Sequence, residues 1–272
     1  MRDHRLVILV IFAVLTPAAA ARVLAQAPPA GAAGAPLKRG LADRSDRRLF
    51  QRFVEDAAVS SGGWVELQYR YENFGNASQH LLGPLVAFKI VNDVEGGLRF
   101  GWQDLNPDSG PNESGLSDID LFAKYRFQGR RARAAVGALL KLPRADEAKG
   151  LGTGRQDVEL FGAWRADLEA VSIVANAAVR FNGNPDPPLP ATDNSFLIGG
   201  AILLPASPRL TFVIEPTYET ERIEGASSDA RLTLGFQARG RQGHGGFRGA
   251  VAVPLSDGAP DYQVIVGGFL TY

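Results

Sequence analysis

Cysteine, histidine and positioned nucleophiles are the usual carriers of chemistry, and this chain offers few of them. It has no cysteine, which excludes a disulfide scaffold and any thiolate metal site. Of its three histidines, His4 lies in a leader-like N-terminus, His80 in a stretch read as an outer loop, and His244 in a glycine-rich turn (RQGHGG). Neither His80 nor His244 sits in a pattern that would pair it with a Ser nucleophile or an orienting Asp. The glycines of residues 150–154 (GLGTG) have the look of a phosphate-cradling loop, but the Lys-Ser/Thr step is missing and no helix follows. Residues 104–118 (DLNPDSGPNESGLSD) carry many oxygen ligands without the spacing of a calcium loop. No catalytic residue, cofactor or metal site is expected, and no enzyme.

The charged residues are more informative, because they recur at every second position. Residues 64–73 (WVELQYRYEN) put Val65, Leu67, Tyr69 and Tyr71 on one face, with Glu66, Gln68, Arg70 and Glu72 on the other. The same alternation runs through 118–127 (DIDLFAKYRF), 156–166 and 230–239. A period of two is strand periodicity, not helix periodicity. The charged faces collect Glu66, Arg70, Arg99, Lys124, Arg126, Asp157, Glu159, Arg165, Arg180, Glu215, Arg231 and Arg239. In a closed barrel these would project into the lumen. They could line a wet, selective passage, or fill the lumen with cross-strand ion pairs that hold it shut. Phe122, Phe161, Ile265 and Phe269 would also point inward, which suits a narrow channel for partly apolar solutes.

The elements that must position these side chains are legible along the chain. Further strands are expected near 82–91, 94–105, 131–142, 168–181, 194–204, 209–219 and 246–255. Connections alternate between short turns (92–93, 129–130, 167, 205–208, 240–245) and longer loops (74–80, 106–117, 143–155, 182–193, 220–229, 256–261). The long ones therefore share one end, and both termini share the other. Pro216 interrupts an otherwise good strand; a place beyond the membrane or at a bulge would accommodate its missing donor. Residues 262–272 (YQVIVGGFLTY) form a last strand with an apolar stripe and aromatic ends. This strand should close the barrel against the one beginning at Trp64.

The ends of the chain suit export. Arg2, His4 and Arg5 precede an apolar run from Leu6 to Leu15 and then small residues to Ala25. Residues 1–25 read as a secretory signal peptide. Residues 26–61 read as a periplasmic linker or arm, in which Leu49, Phe50, Phe53 and Val54 have roughly helical spacing. A short helix at the barrel mouth, a plug or a partner-binding segment would fit residues 43–58, but a solvated or mobile arm is the plainer expectation. Residues 62–272 form the barrel. Lys plus Arg equals Asp plus Glu, so charge gives no reason to expect nucleic acid.

Three stretches also carry a family resemblance. The entry 115–120 (GLSDID) leads into Ala123-Lys-Tyr-Arg-Phe127, and a strand ending AVGALLKLP leads into GLGTGRQD at 150–157. This pattern resembles outer-membrane barrels of the "MetA pathway of phenol degradation" or transporter-like family. The chain departs from that family in reading Lys-Leu-Pro-Arg where Pro-Thr-Gly is usual. The C-terminal aromatic also resembles the signal read by the outer-membrane insertion machinery, which would engage the strand ending at Tyr272.

The reading is therefore all-β: a single closed antiparallel transmembrane barrel of about twelve strands. Its partners would be outer-membrane lipid, the insertion machinery and a small solute. It would sit in a bacterial outer membrane and pass small solutes, with the resemblance implying aromatic or hydrophobic ones. The alternative is a structural or adhesive barrel with a filled lumen, acting through its outer loops.

Overall fold

A computed structural model describes residues 47–129, 132–186, 190–241 and 243–272. The expected signal peptide and residues 26–46 lie outside the described residues. Alternating sequence becomes strand throughout: β1 (Gly63–Asn73), β2 (Ala77–Val91), β3 (Val94–Arg99), β4 (Trp102–Pro107), β5 (Glu113–Leu116), β6 (Ile119–Gln128) and β7 (Ala132–Leu142). The chain continues with β8 (Asp157–Asp167), β9 (Ser172–Phe181), β10 (Ser195–Pro205), β11 (Leu210–Glu219), β12 (Asp229–Arg239), β13 (Gly245–Pro254) and β14 (Tyr262–Thr271).

These segments make twelve staves, because two staves are broken in the middle. β3 and β4 both pair with β2, one along each half of it. β6 and β5 pair with β3 and β4 in turn, the register shifting by one residue between Arg99↔Asp120 and Trp102↔Leu116. The first break has a local cause in β2. Pro84 has no N–H to give to the ladder, and a Cβ at Gly83 would sit 1.9 Å from the Phe100 carbonyl oxygen. The backbones approach too closely there for regular pairing, and the stave kinks at Phe100-Gly101.

Closure follows the expectation from the terminal stripe. β14 pairs antiparallel with β1 from Trp64↔Thr271 to Asn73↔Tyr262. Every stave thus has two neighbours and no edge is left open. Alternation then sorts the faces: Leu67, Tyr125, Phe127, Leu234 and Leu270 are among the large apolar residues exposed on the outside. An apolar exterior on a closed barrel is a lipid-facing girdle. No helix among the described residues is long and apolar enough to cross a membrane.

Three expectations are corrected and one, on Pro216, is narrowed. The β1–β2 connection is a tight turn at 74–76, closed by Phe74 N–H to the Ala77 carbonyl at 2.9 Å, and not a long loop. Residues 77–80 extend β2 to fifteen residues, so His80 is a strand residue. β9 starts at Ser172, because Leu168 N–H bonds the Val171 carbonyl at 2.8 Å and makes residues 168–171 a turn. Pro216 stays inside β11: it pairs with Leu232 on β12, while the β10 ladder skips the rungs beside it without changing register. The barrel tolerates the missing donor as a local gap.

The largest departure concerns residues 47–60. They form no helix and are almost wholly buried, packed inside the barrel. Phe53, Val54, Trp64, Phe122, Phe161 and Phe269 make one apolar cluster with the walls, and Leu49, Phe50 and Ile265 belong to a second. The core of this membrane barrel is therefore its own lumen.

Candidate functional site

The lumen has two zones, and strand register assigns each charged residue to one of them. At the end carrying the termini, a plug of residues 47–60 enters, turns near residues 51–55 and returns. Its backbone is held by wall carboxylates and cations in place of helical hydrogen bonds. Glu215 of β11 accepts N–H from Phe50 at 2.6 Å, Gln51 at 3.1 Å and Arg52 at 2.8 Å. Three donors that a helix would aim at its own carbonyls are thus taken by one buried carboxylate. Lys124 of β6 donates to the Val54 and Asp56 carbonyls at 3.1 and 2.8 Å, and Asn176 of β9 to the Glu55 carbonyl at 3.0 Å.

Side chains reinforce the same seat. Arg165 of β8 bonds Asp56 at 2.8 Å and the Arg47 carbonyl at 2.9 Å. Glu95 of β3 joins Arg48, Lys124 at 3.0 Å and the Ser60 N–H at 2.7 Å. Arg248 of β13 lies 4.1 Å over the Phe50 ring, donates to the Leu49 carbonyl and sits 3.5 Å from Glu66. Trp64 stacks on Phe269 at 4.3 Å and meets Phe53 at 5.7 Å. The inward aromatics Phe122, Phe161 and Phe269 therefore pack against the plug, and the sequence-based view of them as lining a solute path is corrected.

Above residues 51–55 the lumen opens into a cavity of about 650 Å³. Its walls carry cations and carboxylates paired with one another, some on adjacent staves and some two or three staves apart. Arg99 holds Asp120 at 2.6 Å; Arg180 holds Glu159 and Glu219, each at 2.7 Å. Lys141 and Arg222 share Asp157 at 2.8 and 2.9 Å, and Arg231 bridges Glu72 at 3.3 Å and Asp229. Arg52 of the plug reaches Glu159 at 3.3 Å, so the plug is also the cavity floor. Burial pushes the carboxyl of Glu55 up to about 8, Arg52 opposing and Glu159 adding to the rise.

The loop between β7 and β8 bends over this cavity. Leu151 is buried and its carbonyl accepts from Gln103 of β4, while Thr153 accepts from Lys141 at 2.9 Å. Gly150 and Gly154 take positive φ (68° and 64°), which is what the glycine run is for. Asp118, in the acidic stretch, anchors the loop by accepting N–H from Arg144 and Ala145 at 2.9 and 3.0 Å. His80 faces outward, bonded to the Tyr69 hydroxyl at 2.7 Å.

The twelve charges read from alternation divide between the zones. Glu66, Lys124, Arg165 and Glu215 surround the plug, and Arg70, Arg99, Asp157, Glu159, Arg180 and Arg231 line the cavity. Arg126 pairs with Asp93 at 2.7 Å, and Arg239 bonds the Gly243 carbonyl at 2.8 Å, both at the turn end. Glu95, Arg248 and Asn176 were missed, and the plug stood only as an alternative to a solvated arm. Glu95 and Arg248 stand in glycine-rich strands (VEGGLR, GGFRGAVAVP) where one charge among small residues defines no face. The glycines were the available signal. A Cβ at Gly235 would lie 2.4 Å from the Phe50 ring, and one at Gly199 would crowd Arg52 Cγ at 3.4 Å. Strand glycines facing inward mark where another segment comes close.

No family model and no curated protein matches the chain. Solved structures do. An outer-membrane channel from Pseudomonas putida F1 superposes with a TM-score of 0.65 at 13% identity, covering 80% of this chain and 98% of its own. The NanC porin gives 0.57 at 10% identity over 76% and 99%, and the KdgM porin 0.51 at 13% over 76% and 99%. The chain shares the fold of these outer-membrane barrels. Closed staves and a lipid-facing girdle on that fold place it in the bacterial outer membrane.

Proposed function

We propose that this barrel is a solute channel of the outer membrane whose passage is closed by its own N-terminal plug. The observation that carries the reading is how the lumen is filled. A separate chain segment, not wall side chains alone, fills the half nearer the termini, while the other half keeps an ion-paired cavity. The stave-to-stave ladder, β14 to β1 included, runs between strands without the plug, so displacing residues 47–60 leaves it in place. The resemblance to the phenol-degradation transporter-like family and the apolar residues among the cavity walls support small, partly apolar cargo.

Planar-bilayer recordings test the reading. The full chain should show rare, brief openings, and a variant lacking residues 47–60 should conduct steadily. A folded variant that stays silent would overturn it. A second reading, a barrel filled for rigidity and working through its outer loops, is favoured by the density of plug–wall bonds. That reading predicts silence in both proteins, and loss of function when residues 143–155 are removed.

A further inference from the structure

One cation of the cavity wall differs from the rest. Arg99, Lys141, Arg180, Arg222 and Arg231 each hold a carboxylate. Among the described residues no hydrogen bond or ion pair reaches Arg70, and its Nε is buried without a partner. Register fixes the side chain inward, between Leu81 of β2 and Ile265 of β14. The charges that act on it most are Glu72, Asp120, Arg99 and Arg231. Both acids bond elsewhere, each through one oxygen: Glu72 Oε1 to Arg231 and Gln263, and Asp120 Oδ2 to Arg99. Arg70 thus faces two like charges with no acceptor of its own.

A guanidinium in that position costs free energy unless something satisfies its donors. A carboxylate does so best, because its two oxygens match the planar fork. One free cation suits one negative charge; a phosphate dianion would need a second, and the other cavity cations named above are engaged. Leu81, beside Arg70, and Phe100 and Leu139 of the same cavity supply apolar surface for the rest of such a ligand. We propose that the outer cavity holds a subsite for a small organic monocarboxylate with an apolar body, its carboxylate on Arg70. The proposal deepens the channel reading, on which it rests for the meaning of the ligand as cargo.

Calorimetric titration of the full chain in detergent with benzoate and with benzyl alcohol tests it. Benzoate should bind saturably, and the neutral alcohol at least about tenfold more weakly. Arg70→Gln should abolish that preference, and Arg70→Lys should keep part of it, with heat-modifiable gel mobility confirming that each variant is folded. Equal binding of the two probes, no benzoate binding, or a preference that survives in Arg70→Gln would overturn the subsite. If Arg70→Gln does not fold, the two wild-type titrations decide alone. Conductance is read separately: a silent barrel that binds benzoate keeps the subsite and removes the channel, and a conducting barrel indifferent to benzoate does the reverse.

Discussion

The two halves of the lumen are lined by the same residue types and do opposite things with them. In the half nearer the termini, wall polar groups reach inward to a foreign backbone: Glu215, Lys124 and Asn176 bond peptide groups of the plug. In the outer half, Arg99, Arg180 and Arg231 reach sideways to carboxylates on other staves. Sideways pairing satisfies the cations of this wall other than Arg70 and leaves the axis empty. Inward pairing leaves the wall incomplete until a segment arrives. Whether a barrel half is open therefore depends less on how many charges it has than on where their partners lie. Glycine decides much of that, since positions 199 and 235 give the plug room that any side chain would take away.

The sharpest way to break the contrast is to remove an inward partner. Glu215→Ala strands three plug N–H groups in a buried site, at a cost of about 3 kcal/mol or more. At 1.4 kcal/mol per tenfold, the open fraction in bilayer recordings should rise by about a hundredfold or more. An open fraction unchanged in a folded variant would mean that the plug does not gate. Proton uptake offers a milder route. Glu55 has its carboxyl raised to about 8 by burial beside Glu159, so its neutral form is the one the plug favours. The stabilisation from that proton is complete below the ordinary value of 4.5 and is lost as pH rises through about 8. Opening should become roughly ten- to a hundredfold more frequent between about pH 6 and 9, and Glu55→Gln should flatten the curve. A wild-type curve that falls with pH would contradict the seat described for Glu55.

How far sequence carries the argument differs between the same two zones. Strands, faces, the seam from Trp64 to Thr271 and the outward girdle are local or period-two properties, and alternation alone exposes them. Residues 77–80 were lost to a loop because Ala77-Ser-Gln-His80 does not alternate apolar with polar. The plug was ranked below a solvated arm for a deeper reason. Leu49, Phe50, Phe53 and Val54 do have helical spacing, but Phe50 N–H answers to Glu215, 165 positions away. Nothing local records a bond of that span. The cavity charges, by contrast, were found as a face, and only their partners were not.

Breaking an outer pair should have the smallest effect, and the reason is solvent. The side chains of Arg99 and Asp120 are 30% and 18% exposed, where water competes for both ions. Such a pair is worth on the order of 1 kcal/mol or less. Asp120→Asn keeps the side-chain shape and one acceptor oxygen, so the barrel should keep its heat-modifiable gel mobility and its closed state. What should change is the field over the cavity: the wall loses one negative charge, and reversal potentials in a salt gradient should shift modestly toward anions. If Asp120→Asn instead opened the channel as Glu215→Ala is expected to, the division between a wall that completes itself and a wall completed by the plug would be wrong.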